Sequence, residues 1–200
     1  MSHYYINDPD LKSKYNTVKY TFRGYELSFI TNTGVFSRER IDFGTNLLIN
    51  SFEDQDLKNK KILDLGCGYG VIGLSIAKAF SDSIVHLIDI NERAIELAFK
   101  NAKTNIINNV TIYQSNLYQA VDERFDVIIS NPPIRAGKDV VHQIVETGYE
   151  YLNQDGMLWV VIQKKQGANS LIKKIEEVFK NAIIVKKTNG YYIIKAVKNI

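Results

Sequence analysis

The stretch with the most chemical content in this 200-residue chain is Asn131-Pro132-Pro133-Ile134, which follows the apolar run Val127-Ile128-Ile129. A side-chain amide at the end of a strand, followed by two residues of fixed φ, offers two hydrogen-bond acceptors in a set relation: Asn131 Oδ1 and the Pro132 carbonyl. Two acceptors converging on one nitrogen suit an exocyclic amine on a planar ring. Its lone pair is delocalised into the ring, and donating both N–H groups draws it back toward sp³ character. The rest is alignment of that nitrogen with an electrophile, and positioning supplies much of the barrier reduction. No metal is required, and no general base of displaced pKa. Asn131, Pro132 and Pro133 are therefore the catalytic candidates.

A carrier for the electrophile is suggested about 65 residues earlier, where Asp64-Leu65-Gly66-Cys67-Gly68-Tyr69-Gly70 also leaves an apolar run. Glycines let the chain turn sharply and let a ligand approach the backbone. The spacing is G-x-G-x-G. The dinucleotide fingerprint G-x-G-x-x-G would need glycine at position 71, which is valine. Asp89 ends the next apolar run, with Ile90 after it, where a carboxylate can accept hydrogen bonds from both ribose hydroxyls. Asp64 at a strand end is costly unless paired, so it is expected to accept from loop amides or a cofactor ammonium. Asn116, after the third run, is placed to meet an adenine edge. Cys67 is the one cysteine. It reads as a small residue in a tight turn, excludes an internal disulfide and fits a reducing cytosol.

These residues need elements to hold them. Residues 17–31 alternate as a β-hairpin, and 42–52 read as a helix with Leu47, Leu48 and Phe52 on one face. From residue 60, strands and helices alternate: strands at 61–65, 84–90, 110–114, 125–130 and 157–162, and helices at 71–80, 92–103, 140–152 and 169–179. Such alternation predicts a parallel sheet covered on both faces. The strand pair 182–186 and 191–197, joined at Asn189-Gly190, predicts a closing antiparallel hairpin. Residues 1–55 are expected to form an N-terminal extension (tail, hairpin, helix) packed on a catalytic core of 56–200, one structural domain overall.

Composition is ordinary for a globular chain, with 45% hydrophobic and 24% charged residues. Net charge is +3, compatible with an RNA partner without arguing for one. The start lacks a signal-peptide pattern, and no apolar run reaches the ~20 residues that span a bilayer. A cytoplasmic protein without membrane attachment is expected, and a monomer by default, since no interface element stands out. Three scattered histidines argue against a metal site.

With these motifs in order, the chain resembles the class I S-adenosylmethionine-dependent methyltransferases. Within them it is most similar to the small-domain group that includes the small-subunit rRNA guanine-N2 methyltransferases. The resemblance rests on Gly34-Val35-Phe36-Ser37, Asp42-Phe43-Gly44-Thr45, Leu63 through Gly73, Asp89-Ile90-Asn91, Ser130 through Ile134 and Asp155 through Trp159, and covers about residues 20–198. It implies a Rossmann-like α/β fold: a seven-stranded, mostly parallel sheet with a C-terminal antiparallel hairpin, helices on both faces, and an N-terminal β-hairpin extension. It implies S-adenosylmethionine as cofactor, S-adenosylhomocysteine as product, and no metal. Val35, Phe36 and Thr45 would approach the cofactor from the N-terminal side. Asp64, Gly66, Gly68, Gly70, Asp89, Ile90, Asn91 and Asn116 would surround it, with Asn131 beside the methyl group. The substrate would be an exocyclic amine of RNA, guanine N2 of 16S rRNA, naked or in the assembled subunit. Two departures stand out. Ile134 replaces an aromatic that stacks on the flipped base, and residues 1–55 replace a duplicated methyltransferase-like domain, so this chain would bind its substrate without one.

Arg135 and Lys138 follow the acceptor motif, and Lys164-Lys165 follow the fifth strand at the same sheet edge. With Ile134 they are the substrate-binding candidates, the cations placed for flanking phosphates. Two other readings stay open: a protein glutamine N5-methyltransferase, since an amide nitrogen is also planar, and a non-catalytic RNA-binding module that keeps the fold. A nicotinamide oxidoreductase is disfavoured by the glycine spacing and the terminal hairpin.

Overall fold

The structure is a computed structural model and describes residues 12–52, 56–133 and 137–199. Strands β1 (Asn16–Phe22) and β2 (Tyr25–Thr31) pair antiparallel as a separate hairpin. Helix α1 (Phe43–Asn50) comes next. Then come β3 (Lys61–Leu65), α2 (Val71–Ala79), β4 (Ile84–Asp89), α3 (Glu92–Thr104), β5 (Val110–Gln114), β6 (Phe125–Ser130), α4 (Lys138–Tyr151), β7 (Leu152–Gln163), a short 3-10 turn (Lys164–Gln166), α5 (Ala168–Phe179), β8 (Ile183–Thr188) and β9 (Tyr191–Val197).

Seven strands form one sheet in the order β5-β4-β3-β6-β7-β9-β8, parallel except where β9 runs against β7 and β8. Successive side chains point to opposite faces. Ile62, Val127 and Trp159 thus meet α1–α3, while Leu63, Ile128 and Leu158 meet α4 and α5. The chain reverses direction across β3: it leaves for β4 on one side and later returns to β6 on the other. Loops after β3 and β6 therefore diverge and leave a crevice at the carboxyl edge. The buried Ser130 hydroxyl donates to the Leu65 carbonyl at 2.8 Å, tying the two strand ends where that crevice begins.

Most element bounds agree with the sequence reading. The exception is β7, expected over 157–162 and observed over Leu152–Gln163. The polar run Asn153-Gln154-Asp155-Gly156 reads as a turn, yet it is absorbed as an irregularity: Leu152 already pairs with Phe125, the register shifts before Val127, and Asp155 has φ +60°. Between β8 and β9, Asn189 and Gly190 have φ +47° and +76°, the two positive values a tight hairpin turn needs.

The N-terminal hairpin is docked by two asparagines, Asn101 in α3 and Asn105 at its C-cap. Asn105 Oδ1 accepts from Ser28 N–H and its Nδ2 donates to Ser28 O, at 2.8 and 2.9 Å. Asn101 does the same to Ile30, at 2.7 and 3.0 Å. Four helical residues rise about 6 Å and two strand residues about 6.7 Å, so amides at i and i+4 match alternate residues of the free edge of β2. Asn101 Nδ2 also reaches the Tyr69 carbonyl at 2.9 Å, linking the hairpin to the glycine turn.

Candidate active site

The crevice holds a cavity of about 350 Å³, within the size range of small-molecule sites. Three segments build it. The glycine turn forms its floor: Gly66 and Gly68 have φ +76° and +56°, and a Cβ built on either would meet nothing within 4 Å. The turn is held down by Gly66 and Cys67 N–H groups, both donating to Ile88 O at 2.9 Å. Its backbone is thus presented bare to whatever fills the cavity. Cys67 lines the wall, but burial, with Asp64 and Asp89 nearby, pushes its thiol well above the ordinary value, so it stays protonated.

Asp89 closes one end. Its Oδ2 accepts from Gly68 N–H at 2.8 Å and its Oδ1 from Asn91 N–H at 2.9 Å. Burial raises its pKa, and the N–H groups of Asn91, Gly68 and Ile90 oppose the shift. A carboxylate has about four acceptor sites, so capacity remains for a ligand hydroxyl. Ile90 and Asn116, both exposed, line the same end.

Asn131, Pro132 and Pro133 form the other end, together with Phe36 and Thr45. Asn131 Nδ2 donates to Thr45 Oγ1 at 2.8 Å and to Asp42 Oδ2 at 3.3 Å. A carboxylate only accepts, so the amide is forced to turn its amino group toward α1. Asn131 Oδ1 accepts no hydrogen bond among the described residues and is left to the cavity. Asp42 is also the N-cap of α1, accepting from Thr45 N–H at 3.1 Å. Helix start and acceptor side chain therefore share one carboxylate. Tyr69, whose hydroxyl donates to Ser37 O at 3.2 Å, ties the glycine turn to the segment before α1. Burial, then Asp42, pushes its phenol above the ordinary range.

Several expected site residues fall elsewhere. Asp64 is fully buried and does not line the cavity. Its Oδ2 accepts from Gly73 N–H at 2.8 Å and its Oδ1 has no partner, so it braces the first turn of α2 from beneath. Burial lifts its pKa to about 7, against the Gly73 hydrogen bond and with a smaller push from Asp89. Gly70, at φ +96°, is likewise not in the wall: a Cβ there would lie 2.8 Å from Leu74 Cδ1, so it serves helix packing. Lys138 lines a smaller groove of about 140 Å³ behind Pro132. Lys164 and Lys165 are on the 3-10 turn and line neither space. Ile134 and Arg135 lie outside the described residues. Asp42 and Tyr191 were not legible as site residues. A D-x-x-T pattern at a helix start signals only a cap, and Tyr191 reaches the cavity from the far hairpin. Among the described residues no group of three metal-ligating side chains occurs, and no helix is long and apolar enough to cross a membrane.

The sheet order, the crevice and the bare glycine floor define a Rossmann-like methyltransferase fold. The family model of the methyltransferase small domain matches residues 26–195, and the chain belongs to that family. It is 52% identical to the uncharacterized protein YbxB of Bacillus subtilis over 98% of both chains. It is 31% identical to ribosomal RNA small subunit methyltransferase C of Actinobacillus pleuropneumoniae over 88% of this chain but 54% of that protein, so it spans about half the length of such relatives. Among solved structures, the Thermus thermophilus 16S rRNA N2 G1207 methyltransferase, in complex with AdoMet and guanosine, superposes with a TM-score of 0.85 at 24% identity, over 96% of this chain and 52% of that one. A ribosomal protein L11 methylase from Lactobacillus delbrueckii gives 0.68 at 20% identity over 83% and 89%.

Proposed function

We propose that the protein methylates an exocyclic amine of RNA, N2 of a guanine in small-subunit rRNA, with S-adenosylmethionine as methyl donor. The observation that carries this is the enforced orientation of Asn131: Asp42 and Thr45 take its amino group, and the free Oδ1 can only recognise a donor. An N–H-bearing nitrogen is the acceptor such a site selects.

The residues present fit the cofactor. Gly66 and Gly68 leave open space above the backbone, Asp89 keeps acceptor capacity for ribose hydroxyls, and Ile90 and Asn116 flank the place for the adenine. When bound, the cofactor supplies an electrophilic methyl group on a sulfonium. The chain's part is positional. Asn131 Oδ1 and the Pro132 carbonyl accept the two amine N–H groups, and the Pro132–Pro133 backbone holds that carbonyl still. With the nitrogen fixed, the entropy of approach is lost on binding and not at the transition state.

The names of the rRNA-modifying relatives support RNA over protein as substrate. The test is transfer of radiolabelled methyl from S-adenosylmethionine to unmodified small-subunit rRNA, naked and in assembled subunits, with nucleoside analysis. Label in N2-methylguanosine is expected. Label confined to glutamine side chains of ribosomal proteins would overturn the RNA reading.

A further inference from the structure

A second, wider groove of about 640 Å³ opens between the N-terminal hairpin and α1. It is continuous with the acceptor end of the cavity, since Phe36, Ser37, Asp42 and Tyr191 line both. Phe36 and Phe43 both face it and are 37% and 41% exposed. One exposed aromatic is ordinary; two along a groove that runs into a catalytic cavity form a platform.

Phe43 is held by a fixed partner. Its ring leans on Tyr191 with centroids 5.2 Å apart and planes at 52°. Tyr191 is in turn held by a hydrogen bond with Gln163 and by Gly44, where a Cβ would come within 2.9 Å of its ring. The floor is polar: Tyr20 donates to Asn46 Oδ1 at 3.0 Å. Lys19 and Arg40, both exposed, lie along the groove, and neither forms an ion pair among the described residues. The one carboxylate in its lining, Asp42, is engaged by Thr45 and Asn131. Aromatic area, uncommitted cations and no free anion match a nucleotide.

We propose that this groove holds the RNA nucleotide adjoining the target, its base stacked on Phe43 and its phosphates neutralised by Lys19 and Arg40. The inference rests on the RNA reading above and extends it. A base that enters the cavity must leave its stack, and its neighbour loses a stacking partner. A rigid ring beside the cavity mouth replaces that partner. Stacking tolerates every base, so the groove secures the strand and leaves sequence choice to the cavity. The platform is thereby supplied from α1, independent of the residues beyond Pro133.

The experiment measures binding of the full chain to a labelled single-stranded RNA oligonucleotide and to unmodified small-subunit rRNA, across salt concentrations. S-adenosylmethionine affinity is measured alongside by calorimetry. Phe43→Ala is expected to weaken RNA binding roughly 10-fold. Lys19→Ala with Arg40→Ala, at exposed positions that leave folding intact, is expected to weaken it and to lower the slope of log K against log salt by about one to two. Cofactor affinity should change less than about twofold in both. If the wild type binds RNA and both variants bind it equally well with the same salt slope, the groove is not the strand site, and the RNA reading stands. If the wild type binds the cofactor but neither RNA, the RNA reading falls and takes the groove's occupant with it. If it binds glutamine-bearing peptides of ribosomal proteins instead, and Phe43→Ala weakens that binding, the groove is a peptide site and the proposal is wrong.

Discussion

Asn131 and Asp42 are 89 positions apart, and the amino group of one points at the carboxylate of the other at 3.3 Å. This contact, with the 2.8 Å bond to Thr45, decides which end of the Asn131 amide is left to the cavity. Because Asp42 also caps α1, capping and orientation have to be separated experimentally. Asp42→Asn separates them, since Asn caps as well as Asp but no longer only accepts. The variant is expected to keep its melting temperature and cofactor affinity while kcat falls about 10-fold or more, the loss of a hydrogen bond to a charged group. Thr45→Val should lower kcat, whereas Thr45→Ser, which retains the hydroxyl, should restore it. Equal kcat in wild type and Asp42→Asn would mean that Asp42 acts as a cap alone.

Asp64 makes stability depend on pH. Its folded pKa of about 7 exceeds the ordinary 3.8. Such a group favours the folded state at pH values below its unfolded pKa, and the benefit is lost as pH rises through the folded value. Between about pH 4 and 7 the wild type should lose stability that Asp64→Asn retains, on the order of 2–4 kcal/mol at most. Urea midpoints at pH 5 and pH 8 check this: the gap between variant and wild type should widen with pH. A constant gap would show that Asp64 does not titrate in that window.

Gly73 and Gly66, on either side of the start of α2, should fail differently when substituted. At Gly73 a Cβ would lie 2.7 Å from Leu87 Cγ and 3.0 Å from Asp64 Oδ2. Gly73→Ala is therefore an overpacking substitution, expected to cost about 1–3 kcal/mol. At Gly66 there is open space but φ is +76°, so Gly66→Ala costs about 1 kcal/mol of backbone strain and places a methyl on the floor of the cavity proposed to hold the cofactor. Thermal melts and calorimetry together distinguish the two: cofactor affinity should drop about 10-fold or more in Gly66→Ala at a smaller loss of stability.

Asn101 carries the hairpin. Asn101→Leu keeps the branched shape but strands the Ile30 N–H and C=O and the Tyr69 carbonyl. Three polar groups left unpaired should cost about 3 kcal/mol or more. Faster amide exchange in β2 than in β4 would identify the hairpin as the part released. Uniform exchange would contradict the docking role.

The core was legible because its signals are periodic. Apolar runs with glycine or asparagine at their ends mark β3 to β6, and parallel order comes from the helices between them. The docking amides were not, because Asn101 and Asn105 on a helix read as ordinary polar residues until a strand edge lies against them. Tyr191 and Asp42 were hidden for a similar reason: the first meets its partners from the far end of the chain, and the second duplicates a capping pattern. Asp64 and Gly70 read along the chain as cofactor-binding residues; in the fold Asp64 accepts from a backbone amide, Gly73 N–H, and Gly70 packs on Leu74, so neither lines the cavity. Burial is a property of the third dimension, and a motif read along the chain cannot separate wall from foundation.

On the proposed reading, Asn131 orients a nitrogen for methyl transfer. Its most direct test is single-turnover methyl transfer to unmodified small-subunit RNA by wild type and Asn131→Ala, with S-adenosylmethionine affinity measured on both. Nearly abolished transfer by the variant, with cofactor affinity retained, is expected. Transfer at the wild-type rate would contradict that reading.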